Sequence, residues 1–387
     1  MIRAFKVMLA PNKRQRTRLF QFAGAARFAC NWTLNKERAA YNSGEKFIGD
    51  NDLRREFTLL RNSDEYSWLR TISNNVTKQA IKDCVDAFLK FFKRQRGHPK
   101  FKSKKRGDFS FYQDTNKIRI TSTHVKIESF ARRRRKNRQN LNCIRLAEHD
   151  RIPVGAKYKQ PRISFDGLNW WLSVAIEFEP ENHSEPDGEA VGIDLGIKNL
   201  AVCSDGTIYP NINRTSTVRK LKKKQRRLQR SISRKYEMNK KKGERHRKTS
   251  NIIKSERKLL RLHHRLANIR QNYRHQITNS IIRRKPRLIV LEDLNVRGMM
   301  SNRHLSKAVQ EQGFYEFRRQ IEYKAAWAGV RVVIADRFYL SSKTCIVCGH
   351  VKKDFRLSER MYRCEKCGNE IDRDLQAALN LRRYGER

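Results

Sequence analysis

The run AVGIDLGIKNLAV, residues 190–202, sets Asp194 in the middle of an otherwise apolar, strand-forming stretch, with Gly196 two residues on. A carboxylate there is costly to bury unless something compensates, and a bound divalent cation is a common compensation. The competing reading is an ordinary strand-end or turn aspartate. PRLIVLEDL, residues 286–294, poses the same problem, because Glu292 follows directly on a run of β-formers. It stands at the carboxyl end of what reads as a parallel strand, where ligands of open sheets gather. Asp293 alternates to the other face and reads as the start of the next turn. A fold for this chain must bring two acid-bearing apolar strands to an edge where their charge is met.

A third acid follows in RCEKCGNEIDRDLQAALNL, residues 363–381. Asp372 is placed to cap the helix DLQAALNL. Asp374, two residues further in, shares a face with Ala378 and Leu381 and points toward whatever that face packs on. If this is the edge carrying Asp194 and Glu292, three carboxylates converge. Such a set suits two Mg²⁺ ions about 3.5–4 Å apart, which activate water and stabilise the leaving oxygen of a phosphodiester. Meandering strands after residue 188 are followed by a long basic helical region, the strand PRLIVLEDL, a helix around EFRRQIEYKAAWAG, the strand VRVVIADRF and a last helix. That order predicts a multi-domain α/β protein with a ribonuclease-H-like layered domain.

Charge points to the partner. The chain carries 87 Lys+Arg against 39 Asp+Glu, a formal net charge of +48, and so much self-repulsion calls for a polyanion. Nucleic acid is favoured over a membrane surface, because no stretch approaches the ~20 apolar residues of a spanning helix. The N-terminus lacks a signal-peptide core, and a cytoplasmic, nucleoid-associated protein is expected. Of eight cysteines, four are single and four form CxxC-x15-CxxC: Cys345, Cys348, Cys364 and Cys367. This spacing suits one tetrahedral Zn²⁺ site in a reducing compartment. Four thiolates fill such a site, which makes the zinc structural and leaves His350 as a turn residue. The clip either only staples the fold or also positions the segment leading to Asp374.

Before residue 188, apolar spacing predicts a short strand over residues 2–9, then helices. One carries Leu19, Phe22, Ala26, Ala29 and Thr33; a second carries Val76, Ala80, Cys84, Ala87, Phe88 and Phe91 on one side. From about residue 98 short β-like runs take over, with Asp166-Gly167 as a hairpin turn. The expected domains are 1–12 (first strand of the β module), 13–97 (helical), 98–187 (β module), 188–340 (layered α/β), 341–370 (zinc ribbon) and 371–387 (last motif of the α/β domain). Asn75 and Gln79 are candidates for reaching DNA base edges, against the alternative of plain helix surface. Lys93, Arg94, Lys102, Lys104 and Lys105 are candidates for phosphate contacts. Two very basic helices joined near Gly243, the second with a stripe of Leu259, Leu262, Leu266, Ile269, Tyr273 and Ile277, are expected to meet phosphate as well. ARRRRKNR, residues 131–138, is either an RNA contact or a loop disordered without RNA.

GIDLGIKNLAV, LIVLEDLNVRGM, and SSKTCIVCG with YRCEKCG and IDRDLQAALNL resemble the three RuvC-type nuclease motifs and interrupting zinc ribbon of the TnpB (OrfB) family. These are insertion-sequence-encoded relatives of type V CRISPR effectors. The stretch WLRTISNNVTKQAIKDCVDAFLKFFKRQRGHPKFKSKKR is similar to that family's N-terminal helical and linker region. The resemblance implies a RuvC-like nuclease domain, a helical recognition unit and a small barrel-like wedge module. It puts the catalytic acids at Asp194, Glu292 and Asp374. Gln376 departs from the pattern, which has Asn there. The implied activity is Mg²⁺-dependent, RNA-guided cleavage of double-stranded DNA beside a short target-adjacent motif, using a noncoding RNA from the transposon end. Rival readings are a nuclease-inactive guided repressor, which would have lost an acid; a transposase acting directly; and a zinc-ribbon RNA-binding protein without catalysis.

Overall fold

The structure is a computed structural model that describes residues 1–104, 107, 109–128, 141–179, 186–243, 247–352, 354–355 and 359–387. The chain divides into two compact units, Met1–Glu179 and Pro180–Arg387. Among the described residues no helix is long and apolar enough to cross a membrane.

The first unit begins with strand β1 (Ile2–Ala10) and helices α1 (Lys13–Asn42), α2 (Asp50–Asn62) and α3 (Asn74–Phe92). Asn12 and Gln15 close a reciprocal capping box at the start of α1, which satisfies two otherwise orphaned amide donors. Strands β2 (Ser110–Tyr112), β3 (Arg119–Ile120), β4 (His124–Lys126), β5 (Cys143–Leu146), β6 (Tyr158–Phe165) and β7 (Trp170–Glu177) follow. They form one antiparallel sheet, ordered β2-β6-β7-β1-β5-β4-β3, in which β1 is central. Val7 and Leu9 of β1, Leu19 and Phe22 of α1, Ile81 of α3 and Trp170 of β7 share a continuous core. Asp166 closes the β6–β7 hairpin by accepting from the backbone of Leu168 and Asn169 and from Trp171 Nε1, and Gly167 takes a positive φ of 95° there. β6 begins earlier than the run RISF suggests. Gln160 adopts φ 46° before Pro161, and the register slips between Lys159 and Arg162, so the strand continues through a bulge.

The second unit holds β8 (Val191–Leu195), β9 (Asn199–Cys203), β10 (Ile208–Pro210), α4 (Ser216–Lys241), α5 (Ser250–Arg283) and β11 (Leu288–Glu292). Then come α6 (Val296–Ser301), α7 (Ser306–Gln312), α8 (Phe314–Trp327), β12 (Arg331–Ala335), β13 (Met361–Arg363), β14 (Glu370–Asp372) and α9 (Arg373–Glu386). Five strands make one sheet, β10-β9-β8-β11-β12, with β8, β11 and β12 parallel and the rest antiparallel. Alternation sorts the side chains. Ile193, Ile289 and Leu291 pack with Ile277 and Ile281 of α5 and Phe317 and Ile321 of α8. Leu288 and Val290 face the other way and pack with Leu381 of α9. The sheet is therefore a middle layer between α5/α8 and α9.

Helix α9 sits unusually close. A Cβ built at Gly192 of β8 would lie 2.0 Å from the carbonyl oxygen of Ala378 and 2.5 Å from the amide of Arg382. Only a glycine lets the two backbones meet, and Ala377, Ala378 and Leu381 are buried in the contact. Gly192→Ala is expected to destabilise this unit by about 1–3 kcal/mol through overpacking. A thermal midpoint equal to wild type would show that α9 does not rest on β8 in this way.

Candidate active site and cysteine cluster

The parity of the two parallel strands decides where their acids point. With Val191, Ile193 and Leu195 turned to the α5/α8 layer, Gly192 and Asp194 turn to α9. In β11, Leu288 and Val290 face α9, and Glu292 continues that parity. The register pairs Leu291 with Ile193, which sets Glu292 beside Asp194 on the neighbouring strand. Leu195 N donates to Glu292 Oε1 at 3.4 Å. Asp374 occupies the first turn of α9, and Asp372 caps that helix by accepting from the amides of Asp374 and Leu375 at 2.9 and 3.1 Å. Burial first, then the charge and hydrogen bond of Glu292, then the charge of Asp374, hold the Asp194 carboxyl well above the usual range; Arg373 opposes this. Arg360 Nη1 stands 3.7 Å from Asp374 Oδ1. Asp293 turns away and is clasped by Arg337 at 2.5 Å and Arg318 at 2.9 Å, Arg337 above all keeping its carboxyl below the usual range.

Among the described residues the four cysteines alone form a group whose ligand atoms all lie within 4.8 Å of one another; the three carboxylates stand wider. Cys345 Sγ is 3.6 Å from Cys367 Sγ, and Cys348 Sγ is 3.5 Å from Cys364 Sγ. Four sulfurs held ~2.3 Å from a tetrahedral zinc would be ~3.8 Å apart, so the cluster is of the size that ion needs. Both halves are built alike. Cys345 N donates to His350 O and Gly349 N to Cys345 O; Cys364 N donates to Asn369 O and Gly368 N to Cys364 O. Gly349 and Gly368 take φ 72° and 70°, a turn that favours glycine after each CxxC. His350 takes part in this turn through its carbonyl. Asn380 Nδ2 of α9 donates to the carbonyls of Ser341 and Thr344 at 2.7 and 2.6 Å, and β14 runs straight into Asp372. The cluster is thereby fastened to the helix that carries Asp374 at both ends.

The expected nucleic-acid residues are dispersed. Asn75 Nδ2 donates to Asp114 at 2.7 Å, and Gln79 Nε2 donates to Asp83 at 2.9 Å, so both amides engage side chains of their own unit. Lys93, Arg94 and Lys104 are exposed, whereas Lys102 is half-buried, its backbone bonded to Asn31. Gln79 and Lys102 line one cavity of about 900 Å³ with Lys82, Lys90, Arg96, Lys100 and Arg162; Asn75, Lys93, Arg94 and Lys104 do not. Lys105 and the run at 131–138 lie outside the described residues. The basic helices α4 and α5 pair through Lys235–Ser255 and Tyr236–Glu256 contacts at 2.7 and 2.6 Å, with Leu262, Leu266 and Ile277 buried.

Several residues that shape these sites carried no clear mark in the sequence. Arg162 grips Asp83 with its two terminal guanidinium nitrogens, at 2.6 and 2.9 Å, across a sequence separation of 79. Gln312, buried at the end of α7, donates to Gly196 O at 2.9 Å, and Asn211 donates to Ile197 O at 2.8 Å. These two amides fix the turn that follows Asp194. Gln376, by contrast, is marked in the sequence; it is fully buried, and neither of its amide atoms has a hydrogen-bond partner among the described residues.

Three family profiles match the chain: "Helix-turn-helix domain" over residues 1–46 and "Probable transposase" over 173–303, both of the OrfB/IS605 type, and "Cas12f1-like, TNB domain" over 314–381. Residues 1–46 here hold β1 and the single long helix α1. "Putative RNA-guided DNA endonuclease InsQ" of Escherichia coli strain K12 is 29% identical, covering 98% of this chain and 91% of that protein. "Putative RNA-guided DNA endonuclease" of Streptomyces pristinaespiralis is 28% identical, covering 98% and 88%. A chain in "Cryo-EM structure of the Cas12f1-sgRNA-target DNA complex" superposes with a TM-score of 0.57 over 99% of this chain and 98% of that one, at 13% identity, a likeness of fold. Metal analysis of the purified protein is expected to give about one zinc per chain and Cys364→Ser to lose it. Equal zinc in both would refute the four-thiolate cluster.

Proposed function

We propose, from the chain's membership of the TnpB (OrfB) family, that it is an RNA-guided DNA endonuclease encoded by a transposable element. The observation that carries this is the setting of Asp194 and Glu292 side by side on parallel strands, with Asp374 brought over them by α9. An inactive relative would lack one of these acids, and all three are present.

The donor set fits hard divalent cations. Three carboxylates offer oxygen ligands only, and the proton affinity of Asp194 is raised by its burial first and then by Glu292 and Asp374 beside it, a demand that a cation meets. Asp194, Glu292 and Asp374 would hold a Mg²⁺ pair, which when bound supplies an activated water and stabilises the leaving oxygen of the phosphodiester. The chain's own part is to keep these carboxylates placed. Parity orients Asp194 and Glu292, Gln312 and Asn211 hold the turn after Asp194, and the Asp372 cap fixes the first turn of α9. In this reading residues 188–340 and 371–387 form a RuvC-like nuclease domain, and 341–370 a zinc ribbon with one structural Zn²⁺ held by Cys345, Cys348, Cys364 and Cys367.

Residues 13–97 would be the recognition helices, and 1–12 with 98–187 the wedge module, together taking the target-adjacent DNA. The cations around the cavity that Gln79 and Lys102 share, with exposed Lys93, Arg94 and Lys104, suit phosphate contact. The net charge of +48 suits a guide RNA held throughout.

Protein purified with its co-expressed RNA is expected to cut guide-matched DNA in Mg²⁺. Asp194→Ala should slow cutting at least ~10²-fold while the RNA stays bound. Cleavage at the wild-type rate by that variant would move the chemistry elsewhere.

A further inference from the structure

The parallel strands β8, β11 and β12 end together, and what lies just beyond their carboxyl ends borders the three acids. Register pairs Glu292 with Ala335, the last residue of β12, and the chain then turns through Asp336, Arg337 and Phe338. This turn is anchored. Asp336 Oδ1 accepts from Phe338 N at 2.8 Å, and Tyr339 N donates to Asp336 O at 3.0 Å. Tyr339 OH donates to Asn380 O of α9 at 3.1 Å, while its ring packs on Tyr384 with centroids 4.8 Å apart. Yet Phe338 itself is 83% exposed, the most exposed large hydrophobic side chain among the described residues.

A single exposed ring is ordinary on a protein surface. This one has a counterpart. Tyr315, 69% exposed, stands one turn before Arg318 on α8. Arg318 and Arg337 both grip Asp293, the neighbour of Glu292. The two exposed rings thus belong to the two segments whose arginines hold Asp293, one residue beyond Glu292 at the carboxyl end of β11. Aromatic faces that accept any base, set in cationic surroundings, are how proteins hold single-stranded nucleic acid without reading its sequence.

We propose that Phe338, with Tyr315 as a second ring, stacks on unpaired bases of the DNA strand being cut and so positions its phosphate over Asp194, Glu292 and Asp374. This rests on the nuclease reading given above. Phe338 is a substrate-positioning residue in this account. A duplex cannot use it, because its bases are already stacked, so the platform selects DNA that has been opened.

The test uses full-length protein with its bound RNA. The cut is first mapped with wild type, and 5-iodouracil is then placed at nucleotides flanking it. Irradiation of the complex formed by the Asp194→Ala protein, which keeps the DNA intact, should crosslink the peptide containing Phe338 or Tyr315. In the otherwise wild-type protein, Phe338→Ala should raise the DNA concentration for half-maximal cutting about fivefold or more, with the maximal rate little changed, and Phe338→Trp should restore it. Crosslinking confined to other peptides, or wild-type concentration dependence in Phe338→Ala, overturns the proposal while guided cutting by wild type stands. Absence of guided cutting by wild type overturns the nuclease reading and this proposal with it.

Discussion

The contact between α9 and β8 is the constraint from which the second unit's site follows. Gly192 leaves no space for a side chain, so the helix backbone at Ala378 rests directly on the strand. Asp374 lies one turn before Ala378, and Asp194 lies two residues after Gly192 on the same face. The distance between their carboxylates is thus set by backbone packing, which cannot relax as a loop would. The same helix donates through Asn380 to the segment before Cys345, and its cap residue ends β14. A cysteine cluster and a group of acids that share one rigid helix can be disturbed together by one small shift in its seat.

What was legible in the sequence was periodic or local. Period two in VGIDL and LIVLE gives the faces of Asp194 and Glu292, and the spacing within α9 gives that of Asp374. Asp372 as cap and Asp166-Gly167 as hairpin turn are local chemistry that needs no tertiary information. The CxxC pairs carry their turn geometry in the glycine that follows each. What could not be read depends on which distant segments meet. Nothing about Gln79 alone shows that its amide donates to Asp83, or that Asp83 is clamped by Arg162 from a strand 79 residues away. Gln312 looks like surface on a short polar helix, and only the packed structure turns it onto Gly196 O. The start of β6 was hidden by Pro161, which argues against a strand interior but is accommodated by the bulge.

Gln376 joins these two kinds of information. In the sequence it is a departure from a pattern; in the structure it is a buried amide without a partner among the described residues, two positions from Asp374. An unmet buried amide costs stability. It sits one turn before Asn380, whose amide nitrogen donates twice to the segment leading to the cysteines. A shorter side chain at 376 would carry its amide closer to the helix backbone, so the extra methylene alters where these donors point and not whether the acids are present.

A body carrying +48 attracts polyanions everywhere, and attraction alone would hold a phosphate wherever it first lands. The carboxylates are the exception within that field, a half-buried acidic corner that repels a bare phosphate and in which the proton affinity of Asp194 is raised. Such a corner cannot recruit the backbone by itself. It needs cations between its oxygens and the phosphate, and contacts beside it that do not depend on charge. On the proposed reading, uncharged faces such as exposed rings would meet the second need, because stacking would hold a base and leave the phosphate free to be placed over the acids. Holding, done broadly by Lys and Arg, would thus be separated from placing, done at the carboxyl end of one sheet.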